Sequence, residues 1–133
     1  MKERGLLWAS SARRDLEGIV SYLADRSQQA ALATLDRLEG RARSLAGLAE
    51  RGRVVPELAR LHLREYRELV VPPYRIIYRI RGPRVLVLAV LDARRSLEDI
   101  LLDRLIRVER VEYLLSGRDE LSPSGIGLAR LPR

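Results

Sequence analysis

The stretch from Arg64 to Arg95 reads REYRELVVPPYRIIYRIRGPRVLVLAVLDARR, and its hydrophobic pattern leaves few folds open. Tyr74, Ile76, Tyr78 and Ile80 alternate with Arg75, Ile77, Arg79 and Arg81. A period of two marks a strand with one buried face. Arg81-Gly82-Pro83-Arg84 then supplies a turn, because Gly permits positive φ and Pro cannot donate to a ladder. The run from Val85 to Leu91 contains no polar residue, as expected of a central strand buried on both faces. Upstream, Arg64 to Val71 forms a third candidate, set off by Pro72-Pro73. The pattern predicts a three-stranded antiparallel meander ending at Asp92-Ala93-Arg94-Arg95.

The remaining elements group around this meander. Leu6, Leu7 and Trp8 predict a short strand over Gly5 to Ala9 at the sheet edge. Ser10-Ser11 offers an N-cap to a helix whose buried stripe is Ala12, Leu16, Ile19, Val20 and Leu23. Asp25-Arg26-Ser27 breaks it. Ala31, Leu35, Leu38, Ala42 and Leu45 then form the narrow seam of a second helix, and the short break makes the pair an antiparallel hairpin. Gly40 weakens that helix by about 1 kcal/mol relative to Ala, and Gly47 and Gly52 mark its end. Pro56 favours a turn, or a single helical turn, in the connection that follows. After the meander, Ser96 with Asp99 resembles a capping box. Leu97, Leu101, Leu105, Val108 and Leu115 follow near one helical face. The helix should stop at Gly117, leaving an irregular tail from Arg118. Grouped rather than alternating strands and helices make the class α+β, with helices against the sheet. The expected division is a core over 1–102, a continuation of the last helix over 103–117, and the tail over 118–133.

Composition narrows the function classes. The chain of 133 residues is one domain with a core of Leu, Val, Ile and Ala, since it has no Phe. It has no Cys, which rules out disulfides and zinc-thiolate sites and is compatible with a reducing cytoplasm. No apolar run is long enough to span a membrane. No His, Asp and Glu group has metal-ligand spacing and no Gly-rich phosphate loop is present, so neither a metal nor another cofactor is expected. The net charge is +7, and every basic residue but Lys2 is Arg. Two readings of the Arg bias compete, a polyanionic target or acidic protein partner and a GC-rich genome that writes Arg where others write Lys; the sign of the net charge favours an acidic partner.

Four pieces carry a resemblance: Gly52-Arg53-Val54-Val55-Pro56-Glu57, Arg67-Glu68-Leu69, Tyr74-Arg75-Ile76-Ile77-Tyr78, and a hydrophobic strand running into Arg94-Arg95. In this order, behind two helices, they resemble the RelE/ParE superfamily of toxins from type II toxin–antitoxin pairs, over roughly Leu6 to Leu102. The resemblance implies a cytoplasmic toxin neutralised by an acidic antitoxin that is partly disordered alone, in a homodimer or a toxin–antitoxin heterotetramer. RelE-like members cut messenger RNA on the ribosome; ParE-like members poison DNA gyrase without an established nucleolytic site.

Cleavage of RNA by its own 2′-hydroxyl needs a proton acceptor, a proton donor and cations at the phosphorus. The resemblance to RelE puts Arg75 and Arg94 or Arg95 at its catalytic arginines. The acid–base roles are poorly filled. Ser96-Leu97-Glu98-Asp99-Ile100 has no Tyr where RelE-like enzymes place one, no Lys precedes the Tyr-Arg strand, and Asp92 stands where related sequences often have His. Arg does not substitute for a Lys that must lose a proton. Tyr74 and Tyr78 fall on the core side of the alternation, and His62 sits among leucines in a connection. Glu57 and Glu68 are equally poor catalysts, Glu68 being expected to pair across strands with an arginine for a few tenths of a kcal/mol. On the residues alone, Arg75, Arg79 and Arg81 are the solvated face of a strand; with the resemblance they become a functional face. The expected reading is a ParE-like gyrase inhibitor whose partner-binding face holds Arg67, Arg75, Arg79, Arg94 and Arg95. The alternatives are a metal-independent RelE-like endoribonuclease using Arg75, Arg94 and Arg95, and an inactive module that binds a protein partner or nucleic acid.

Overall fold

The computed structural model describes residues 3–94, 97, 98 and 100–107. Its elements are β1 (Gly5–Trp8), α1 (Ser10–Ala24), α2 (Gln28–Arg43), β2 (Arg53–Val54), α3 (Pro56–Ala59), β3 (Tyr66–Val71), β4 (Tyr74–Arg81) and β5 (Arg84–Asp92). A further helix, α4, runs through 100–107. The sheet order is β1-β5-β4-β3-β2. The expected α+β class, the N-terminal edge strand, the hairpin and the antiparallel meander are all present. β1 joins parallel to β5. The two-residue β2 is an addition that the sequence pattern did not suggest. It pairs antiparallel to β3, with Arg53 opposite Glu68.

The helical hairpin forms where its seam residues lie. Ala12 and Leu16 of α1 and Ala31, Leu38 and Ala42 of α2 are buried. Ser27 caps α2, its hydroxyl accepting from the Ala30 N–H at 3.1 Å. The α1 cap differs from expectation. Ala9 occupies the N-cap position with no side-chain bond, and Ser10 is already helical. The Ser11 hydroxyl instead donates to the Leu88 carbonyl at 3.3 Å.

That exchange has a reason in the sheet. β1 pairs with β5 only from Arg84 to Val87, which leaves the rest of that edge of β5 without a strand. Buried backbone groups need partners, and α1 supplies them. Besides Ser11, the Asp15 carboxylate accepts from the Val90 N–H at 2.9 Å and from Arg104 at 2.5 Å. One carboxylate thus ties α1, β5 and α4 together. Leu97, Leu101 and Leu105 are buried beside it, the spacing expected of that helix. The Ser96–Asp99 capping box, the helix beyond 107 and the tail lie outside the described residues.

Within the meander the strict alternation is modified twice. Ile77 is opposite Ala89 while Tyr78 is opposite Val87, so Leu88 is the extra residue of a β-bulge. And β4 is covered on both faces in its first half: Arg75, Ile76, Ile77 and Tyr78 are all buried. Tyr78 is a core residue, as expected, and its hydroxyl is fully used. It donates to the Ala49 carbonyl at 2.6 Å and accepts from the Gly52 N–H at 3.0 Å.

Gly52 is required there for close approach, not for its φ, which is −78°. A Cβ on Gly52 would overlap the Tyr78 hydroxyl and lie 2.6 Å from the Glu68 carbonyl oxygen, whereas one on Gly18 of α1 would meet nothing. In urea unfolding, Gly52→Ala should lose about 2–4 kcal/mol from overpacking and the broken hydrogen bond. Gly18→Ala should gain about 0.5–1 kcal/mol from helix propensity.

Candidate functional site

A guanidinium is planar and permanently charged, so a buried one needs acceptors in its own plane. Arg75 is such a case. The alternation of β4 predicts a solvated side chain, but Arg75 is only 7% exposed. Its Nε donates to Glu68 Oε1 at 2.5 Å, and its two Nη atoms donate to the two oxygens of Glu57, each at 2.8 Å. Glu68 is 1% exposed, and its second oxygen accepts from Arg53 Nε at 2.6 Å. The four side chains form one line of alternating charge, Arg53–Glu68–Arg75–Glu57.

The fold assembles this line from three places. Register sets Glu68 opposite Ile77 and Val70 opposite Arg75, so Glu68 and Arg75 are diagonal neighbours on one face of the β3–β4 pair. The short strand β2 sets Arg53 opposite Glu68. Pro56 opens α3 at its first turn, and Glu57 follows it. Glu68 does pair across strands as the sequence suggests. It is a buried ion, however, not a surface one, so losing its partner costs far more than a few tenths of a kcal/mol.

The electrostatics follow the contacts. The hydrogen bonds from Arg75 hold the Glu57 carboxyl at about 2, far below its ordinary 4.5, despite some burial that pushes the other way. Glu57 in turn, with Glu68, raises Arg75. Burial pushes the Tyr78 hydroxyl up, and burial with the nearby Asp92 charge does the same to Tyr74.

The other expected arginines lie apart from this line in their contacts. Arg67 Nη1 donates to the Gly52 carbonyl at 2.7 Å and the Glu50 carbonyl at 3.3 Å. Arg79 lies over the Tyr66 ring, 5.6 Å from its centroid. Arg94 reaches back to Asp92, with Nε on one oxygen at 2.9 Å and Nη2 on the other at 2.5 Å, while its side chain is 78% exposed. Arg95 lies outside the described residues. Tyr74 is half-buried at the start of β4, not a full core residue. His62 is exposed, in a left-handed backbone conformation (φ 66°). Among the described residues, no three His, Asp or Glu side chains come together to hold a metal ion. Sequence reasoning set Glu57 aside; the available signal was Pro56, which fixes the turn that presents it.

Two consequences can be measured. Arg75→Ala should cost about 2–4 kcal/mol in urea unfolding, because it leaves the buried Glu68 charge with Arg53 as its one remaining cation in this line. The Glu57 contribution should vanish in acid. The unfolded chain takes up this proton near pH 4.5 and the folded chain only near about 2, so the stabilisation is whole above the first value and lost as pH falls to the second. Glu57→Gln should flatten the stability–pH curve in that window and lower its alkaline side by a constant amount.

Comparison with known proteins places this architecture. The family model described as the ParE toxin of the type II toxin–antitoxin system parDE matches residues 6–97. Among solved structures, the chain is similar to one described as the chromosomal ParDE toxin–antitoxin system from P. aeruginosa. The TM-score is 0.56 at 20% identity, covering 69% of this chain and 98% of that one. A second is the RelBE2 toxin–antitoxin complex from Mycobacterium tuberculosis, at TM-score 0.48 and 20% identity, covering 69% and 93%. No curated protein matches.

Proposed function

The chain belongs to the ParE toxin family of type II toxin–antitoxin systems, and on that premise we propose that it inhibits DNA gyrase and is neutralised by an acidic antitoxin. The observation that carries the choice of target is the state of Arg75. A ribonuclease would need that guanidinium turned toward phosphate, but in this fold its Nε and both its Nη atoms donate to Glu68 and Glu57. The acid–base partners are no better placed. A general base works best with a pKa near the operating pH, and Glu57 titrates at about 2. The Tyr78 hydroxyl is committed to Ala49 and Gly52. These features favour the ParE side of the superfamily, where the resemblance implies gyrase poisoning without a nucleolytic site. The antitoxin is supported by the family and by the net charge of +7, which draws an acidic segment by long-range attraction. Among the described residues no helix is long and apolar enough to cross a membrane.

The test is a pulse-label of DNA and protein synthesis just after the chain is induced alone, paired with supercoiling by purified gyrase. DNA synthesis should stop first, and the chain should inhibit supercoiling. Protein synthesis stopping first, with intact gyrase activity, would overturn this in favour of messenger RNA cleavage. No effect on either, from a soluble chain, would leave a binding module.

A further inference from the structure

We propose that Arg75 is a receptor for an acidic side chain of a partner, and that Glu57 is the internal carboxylate occupying it until the partner arrives. This rests on the reading of the chain as a toxin held by an acidic antitoxin. The two carboxylates on Arg75 are not equivalent. Glu68 binds the Nε edge, has a side chain with no exposure, and is held again by Arg53. It fixes the direction of the guanidinium whether or not Glu57 is present. Glu57 takes the opposite edge, where both Nη atoms form a fork, and its side chain keeps 22% exposure. The backbone under Glu57 is pinned by its neighbours Val55 and Leu58, both fully buried. Release therefore needs only rotation of the Glu57 side chain into solvent, with α3 in place.

The surroundings suit an incoming carboxylate. With Glu57 turned away, Arg53 and Arg75 outweigh Glu68 by one positive charge, and Arg60 adds to the field felt where the Glu57 carboxylate sat. Val70 stands opposite Arg75 in the ladder and is 42% exposed, an apolar contact beside the charged fork. A planar carboxylate from a partner makes the same two bonds that Glu57 makes. The exchange conserves hydrogen bonds, so the additional contacts decide its direction. An internal competitor weakens apparent affinity in proportion to the fraction of time the site is open, so removing it should strengthen binding.

The full-length chain and its Glu57→Ala variant are titrated with tetraglutamate and with inorganic phosphate, at ionic strength matched with chloride. The NMR signal of the Arg75 Nε–H reports occupancy. Tetraglutamate should shift that signal in the variant at about one tenth of the concentration needed for the parent chain, or less. Phosphate should act more weakly than tetraglutamate. Equal affinity of the variant and the parent chain would make Glu57 a purely structural partner and overturn the proposal. Tighter binding of phosphate would also overturn it, since the site would then select phosphate. Should Glu57→Ala fail to fold, Glu57→Gln preserves the size, removes the competing charge and gives the same comparison. These outcomes leave the toxin reading standing, because that reading is decided by which synthesis stops first.

Discussion

A guanidinium buried on the central strand of a sheet constrains everything around it. Arg75 cannot lose its charge, so the chain must bring it in-plane acceptors or leave it solvated. It does the former: one acceptor, Glu57, comes from α3, and the other, Glu68, comes from β3 and is itself tied to β2 through Arg53. β2 has two residues and α3 has four. Neither buries enough surface to persist alone, since short helices and isolated strands are marginal in water. Glu57 ties α3 to β4 through Arg75, and Glu68 ties β2 to β3 through Arg53. Val55, Leu58 and Tyr78, all fully buried, pack the same connection from the apolar side. Hydrophobic burial holds the segment, and the ion line fixes its orientation.

The far side of the sheet solves a related problem by a similar device. β1 is too short to cover β5, and the carbonyl of Leu88 and the amide of Val90 lie past its end. Ser11 and Asp15 stand one helical turn apart on α1, so one face of that helix reaches both groups. Asp15 also holds Arg104, which makes the position of α4 dependent on the same carboxylate. Polar side chains at both margins of the sheet thus complete backbone and charge pairing that strands alone leave open, while the centre rests on Val85 to Leu91.

How much of this was legible follows from the kind of signal involved. Periodicity reports which residues face a core, and it gave the meander, the hairpin seam and the Leu97, Leu101 and Leu105 stripe. It is silent on two-residue strands, so β2 was invisible. It also assigns every arginine on the polar side of an alternation to solvent. Arg75 breaks that rule because its acceptors, seven and eighteen residues back along the chain, reach it only through strand register and the α3 turn. The use of Ser11 likewise follows from where β1 ends. The resemblance reached the family without any of these details, since it rests on the order of short pieces, and the family model matches residues 6–97.

The same arrangement separates what RNA cleavage would ask of Arg75 from what this fold gives it. Catalysis on RNA asks an arginine to hold its charge open toward a phosphate, with groups nearby that exchange protons near neutral pH. Here the charge is closed by carboxylates. One of them, Glu57, is too strong an acid to serve as the base. Closing it stabilises the connection that carries α3. A chain that had lost the need for cleavage would gain stability from each such carboxylate, in line with the trade between stability and an exposed, strained site. On the proposed reading, a partner meets the Nη side of the guanidinium, the side held by the less buried carboxylate, Glu57.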